Sequence, residues 1–254
     1  MSKKSICLAL AIVIVGTFFV SAYLASAAPP QGKGYDRILE KRTFIHYRKG
    51  RAKPPWAGGG NGGGKDKEDG YYSFLSKGAR WKNPEVFYLN PICDDSTADK
   101  TLVEDAVDAG MYEWETAEGV SFDIFGDLLI ADVTYDGGAF REYNTISFGS
   151  YGNSDVIGVA TVWGYFSGPP SQREIIEAHI LLNDDFVWGD ATSDDTLMDV
   201  QNIITHELGH CAGMGDLYEP AAGEETMYGY SGEGEIKKRD LYIGDEAGIA
   251  KLYK

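Results

Sequence analysis

The sequence predicts an α/β domain in which a sheet is backed by one helix and a second helix carries a candidate metal site. Three observations lead there. Short β-type runs recur between Glu85 and Asn183, and an apolar stripe at helical spacing separates the first run from the next. A second such stripe leads directly into His206-Glu207-Leu208-Gly209-His210. Strand, helix, strand in that order argues for a sheet with a crossover helix rather than a bundle or a sandwich.

Taken in order, the chain begins with Lys3-Lys4, an apolar run from Ile6 to about Ala25, and the small-residue exit Ala25-Ser26-Ala27-Ala28-Pro29. This reads as a secretory signal peptide over residues 1–27. The run is also close to the length of a membrane span, so a retained anchor with the domain facing outwards is the alternative. Residues 28–69 are basic and patchily aromatic, and they end in Pro54-Pro55 and a glycine-rich linker at 58–64. A hinge of that kind ahead of a domain reads as a pro-segment, or as an arm without an inhibitory role. The domain itself is assigned to 70–254.

Within it, Glu85–Asn90 is a strand stopped by Pro91, and Thr97 to Glu118 is a helix with Leu102, Val103, Ala106, Val107, Met111 and Trp114 on its buried face. Ser121–Phe125 and Ile130–Tyr135 are expected as the next two strands, followed by Thr145–Phe148, Gly158–Trp163 and Ala178–Asn183. The site helix is expected from about Asp195, with Leu197, Val200, Ile203, Ile204 and Leu208 recurring every three or four residues.

His206 and His210 lie four apart, so a helix stacks them on one face. Two neutral imidazoles so arranged can hold two corners of a tetrahedral Zn²⁺. Glu207 beside them can serve as general base and then as acid without being a ligand. Gly213 can take the left-handed conformation that ends a helix, which lets the chain double back and bring Asp216 to the metal. Two histidines and one carboxylate leave a coordination position open, the mark of a catalytic rather than a closed structural site.

His206-Glu207-x-x-His210-x-x-Gly213-x-x-Asp216 resembles the metzincin zinc-protease signature, with aspartate where most members carry a third histidine, as in the snapalysin type. Glu225-Thr226-Met227-Tyr228-Gly229 resembles the methionine turn of those enzymes, and Asp240–Tyr253 resembles the closing helix of matrixin catalytic domains. The resemblance covers about Gly70 to the C-terminus. It implies a metzincin-like zincin fold with a twisted mixed sheet, a backing helix, an active-site helix and a C-terminal helix. It also implies a zinc metalloendopeptidase acting on peptide or protein substrates, with Met227 packing beneath the metal. Ala178–Asn183 resembles the edge strand above the cleft of such enzymes, to which a peptide adds as a further strand. Leu181, Asn183 and Phe186 stand where matrixins would carry ligands of a structural zinc and calcium, so no second zinc is expected. Calcium at Asp184, Asp185 or Asp190–Asp195 is a further candidate, and His179 is expected to be a hydrogen-bonded strand histidine. Residues 28–69 contain no cysteine, which rules out matrixin-style thiolate capping and leaves Asp36 or His46 as candidates for that role.

With 254 residues, 43% of them hydrophobic, the chain has material for one domain plus extensions. Net charge is −16, which argues against nucleic acid or an anionic surface as partner. The charge is uneven: ten Lys/Arg face five Asp/Glu in 28–69, whereas eleven face thirty-four in 70–254. A basic arm ahead of an acidic domain could dock on it in cis. Cys7 lies in the leader, so Cys93 and Cys211 are the pair left for a disulfide in an exported chain; two small buried thiols are the alternative. A monomer is expected, with membrane contact if the leader is retained. The competing class is an exported zinc-binding adhesion or interaction domain without turnover.

Overall fold

Seven strands make one sheet, and the first of them comes from the stretch that the sequence assigned to a basic arm ahead of the domain, with no strand expected in it. In chain order they are β1 (Glu40–Arg48), β2 (Glu85–Asn90), β3 (Phe125–Ile130), β4 (Asn144–Gly149), β5 (Val156–Tyr165), β6 (Glu174–Asn183) and β7 (Tyr230–Ser231). The helices are α1 (Lys100–Thr116), α2 (Val200–Cys211) and α3 (Ile243–Tyr253). This computed structural model describes residues 37–50, 65–66, 70–93 and 98–254. The leader, Asp36, Pro54-Pro55 and the 58–64 linker lie outside the described residues. Among those described, no helix is long and apolar enough to cross a membrane.

The sheet order is β7-β1-β5-β6-β4-β2-β3. The pairs β3–β2, β2–β4 and β4–β6 are parallel, β6–β5 and β5–β1 antiparallel, and β1–β7 parallel. The fold is therefore mixed α/β with a mostly parallel core, consistent with a metzincin-like architecture. Helix α1 is capped by Asp99, whose carboxylate accepts the Leu102 N–H, and it buries Val103, Val107, Met111 and Trp114. It meets α2 closely because Gly110 faces Thr205, where a Cβ would sit 2.9 Å from the hydroxyl. Trp114 Nε1 donates to the Thr205 carbonyl at 2.8 Å, fixing the two helices against each other.

Three expectations are corrected. The two strands expected at 121–125 and 130–135 are replaced by one, β3. At Gly126 the missing Cβ lets β3 approach the Glu85 carbonyl across a register shift. Ala178–Asn183 belongs to β6, which is flanked by β4 and β5 and is not an edge, and its almost continuous burial fits an inner strand. The strand bordering the site is β5. Finally, Cys93 and Cys211 are not bridged. Cys211 is fully buried at the end of α2, where its carbonyl accepts Trp81 Nε1, and Cys93 packs on the core as a small apolar group.

Candidate metal centre

Helix α2 starts later than its apolar stripe implies, because Asp199 accepts the Asn202 N–H and sets the cap. Asp199 has a second task. Arg239 forks onto it and reaches Asp190 at 2.6 Å, so the 237–239 segment is clasped to the N-terminus of α2. From there α2 runs almost wholly buried to His206, Glu207 and His210.

Each imidazole is aimed by a backbone carbonyl. His206 Nδ1 donates to Thr226 O at 2.7 Å and His210 Nδ1 to Met214 O at 3.2 Å, leaving both Nε2 atoms as inward-facing acceptors. Gly213 adopts φ +103°, and a Cβ there would strike the Ala79 carbonyl; this turn brings Asp216 back over the helix. Asp216 Oδ1 lies 3.4 Å from His206 Nε2 and 3.3 Å from His210 Nε2. Its other oxygen accepts the Tyr218 hydroxyl at 3.0 Å. Ligand atoms bonded at about 2.0–2.1 Å in tetrahedral directions stand roughly 3.3–3.4 Å apart, which both distances from Asp216 match, and all three ligand atoms lie within 4.8 Å of one another. His206 Nε2 and Asp216 Oδ1 are buried without a hydrogen-bond partner, a costly arrangement that a cation relieves.

The protonation states suit a cation. Burial first, and Lys238 second, lower His206 to about 3, so its imidazole is neutral. Burial works against the Asp216 anion, but His210 and His206 outweigh it and carry the carboxyl below its usual range. Burial, aided by Asp216 and opposed by Lys238, pushes Glu207 well up, as a proton carrier needs. Met227 lies under the site: a Cβ on Gly209 would run into its sulfur. The methionine turn is held by Asp245, which accepts the Thr226 and Met227 N–H groups and caps α3.

Three residues of the site, Gly158, Lys238 and Phe44, were not assigned a place here by the sequence, and a fourth, His46, was offered only as a candidate to cap the metal. Gly158 on β5 leaves room for Glu207, since a Cβ would sit 2.7 Å from Oε1. Lys238 is fully buried nearby. From β1, Phe44 stacks on His210 (centroids 3.9 Å, 9° between planes), and His46 lies 4.0 Å from the His206 ring with Nδ1 3.3 Å from Glu207 Oε1. The β-branched and aromatic run Thr43-Phe44-Ile45-His46-Tyr47 was the available signal for this strand. Basic residues around it dock on the acidic domain: Arg48 on Glu233 at 2.6 Å, Lys49 on Glu235, and Arg37 on Glu174 at 2.5 Å.

His179 is a strand histidine, bonded to Thr145 Oγ1 at 2.8 Å and Glu177 Oε1 at 2.7 Å. The acidic loop is otherwise engaged: Asp190 holds Thr192 and Arg239, and Asp194 holds Thr196. Among the described residues, the groups of three close metal-ligating side chains are His206–His210–Asp216 and His46–His206–Glu207, so calcium at Asp184–Asp195 has no support.

The fold and the site define an α/β domain with two histidines on a helix, a carboxylate from the turn that follows it, and a second carboxylate beside them. No protein-family model matches the chain. The chain is similar to Metalloendoproteinase 1-MMP of Arabidopsis thaliana, 25% identical over 186 residues that cover 72% of this chain and 47% of that protein. The chain thus spans about half the length of this relative. A distant likeness of this kind supports a matrixin-like domain and a metalloprotease family.

Proposed function

We propose that the protein is a secreted zinc metalloendopeptidase with a snapalysin-type ligand set, His206, His210 and Asp216. The observation that carries this reading is that Asp216 Oδ1 stands 3.3–3.4 Å from both imidazole Nε2 atoms, with Glu207 beside them outside the ligand set. Zinc, when bound, supplies a Lewis acid and an activated water. Glu207 takes the water proton on a carboxylate oxygen as the carbonyl is attacked, then delivers it to the departing amine. The Thr226 and Met214 carbonyls keep the imidazoles oriented throughout. The glycine at position 158 keeps the approach to Glu207 clear.

Residues 28–69 act as a pro-segment in this reading, behind a leader at 1–27 that directs export. β1 pairs antiparallel with β5 from Glu40 to Tyr47, where an extended peptide would add to the sheet, so turnover requires β1 to leave. The test is a casein or gelatin assay on the whole chain before and after limited proteolysis between residues 51 and 69. Cleavage should rise after nicking, vanish with chelator and return with zinc. Glu207→Gln should keep stoichiometric zinc and lose about 10²–10⁴-fold in rate. Equal rates for that variant would remove Glu207 from the chemistry, and a chain without zinc would sink the reading.

A further inference from the structure

Lys238 is a buried amine with no carboxylate bonded to its Nζ. Its Nζ donates to the Tyr228 carbonyl and, at 3.1 Å, to Nε2 of His46; its backbone N–H is fixed on Asn202 Oδ1 at 2.8 Å. Neither Nζ acceptor is an anion, and a buried cation served only by neutral groups is expensive. The nearby acids Glu235, Asp216 and Glu207 act on it through space, but none is hydrogen-bonded to Nζ. Glu235 pairs with Lys49, Asp216 faces the two metal-site histidines, and Glu207 faces Nδ1 of His46.

His46 is a visitor to this place. It arrives on β1, which lies antiparallel to β5 and parallel to β7, as a bound peptide would lie. Its ring enters a space bounded by the His206 ring, Glu207 and the 228–230 backbone. Because Nζ donates, Nε2 accepts, and the ring proton is on Nδ1 towards Glu207. Glu207 therefore meets the near end of the side chain and Lys238 the far end. A replacement must offer an acceptor at the depth of Nε2. A glutamate oxygen stands the same number of bonds from Cα, an aspartate oxygen one fewer. Leucine would leave the ammonium bare, and lysine or arginine would oppose it.

We infer that the space holding His46 is a substrate side-chain pocket and that Lys238 at its far end selects glutamate in the peptide that displaces β1. This rests on the peptidase reading above. Burial lowers Lys238 to about 7 even with Glu235, Asp216 and Glu207 opposing it, and a carboxylate brought to Nζ favours the ammonium form.

The test uses the full chain carrying Glu207→Gln, to prevent cutting, and Phe44→Ala, to ease β1 from the cleft. Labelled peptides copying residues 40–49, with glutamate, glutamine or leucine in place of His46, are titrated by fluorescence anisotropy. The glutamate peptide should bind at least about tenfold more tightly than the leucine peptide, with glutamine between. Lys238→Met should level the three, and Lys238→Gln serves as a second variant should the first fold poorly. Equal affinities, or a preference that survives both Lys238 substitutions, would overturn the inference. If β1 excludes every peptide, His46→Glu and His46→Leu are compared in the full chain by amide hydrogen exchange. The β1 amides should exchange more slowly with glutamate, and only while Lys238 is present; the reverse order counts against the pocket. A chain that cuts peptides but ignores glutamate refutes this inference alone. One that selects glutamate and never cuts refutes the peptidase reading alone.

Discussion

Helix α2 carries the two histidine ligands and strand β1 packs on both, and the two elements are held there in different ways. The helix is buried along nearly its whole length and is bonded at every level: Asp199 and Arg239 at its start, Trp114 on Thr205, Trp81 on Cys211 at its end. β1 is exposed or half-exposed except at His46 and is joined to the body by ladder bonds, one stacked and one tilted ring pair, the His46–Lys238 bond and surface ion pairs. Exposed ion pairs of this kind are worth little each. Burial alone therefore does not distinguish what builds a site from what covers it; the number of independent restraints does.

The sharpest way to break this contrast is at the ligand the turn delivers. Asp216→Ala should weaken zinc retention by more than the roughly 10–100-fold that loss of an outer partner costs, read by dialysis against a competing chelator. Unchanged retention would mean that another group, such as His46, completes the set. A smaller effect is expected within the rigid half. Gly209→Ala drives a methyl into Met227 and to 2.5 Å from the Trp114 ring, and it should cost about 1–3 kcal/mol in denaturant unfolding. A neutral result would show the helix packing to be looser than its restraints imply. The smallest effect on stability belongs to β1: Phe44→Ala removes the ring stacked on His210 and should speed amide exchange in residues 40–48 while α2 amides stay protected. Equal loss of protection in both would make β1 part of the same cooperative unit.

The same contrast explains what the sequence made legible. The gathering of His206, Glu207, His210 and Asp216 could be read because an i, i+4 spacing and one glycine turn encode it within eleven residues. Helix α1 and the strands at 85–90, 145–148 and 158–163 were legible by periodicity, give or take a residue or three at each end. Lys238, Gly158 and Phe44 were not, and His46 was read only as a candidate metal cap, because their meeting depends on β1 pairing with β5 across more than a hundred residues. Nothing local in Lys237-Lys238-Arg239 distinguishes the buried lysine from its neighbours, of which one faces solvent in part and the other clasps Asp199.

The Arg239 fork on Asp199 has a mechanical consequence. It is adjacent to Lys238 in the chain and grips the start of the helix that ends in the ligands, so the far end of the His46 pocket and the metal share a single rigid strut. A side chain that pulled on the lysine would tug the helix along with it, and any redesign of selectivity at 238 has to keep that strut intact or forfeit the alignment of the histidines.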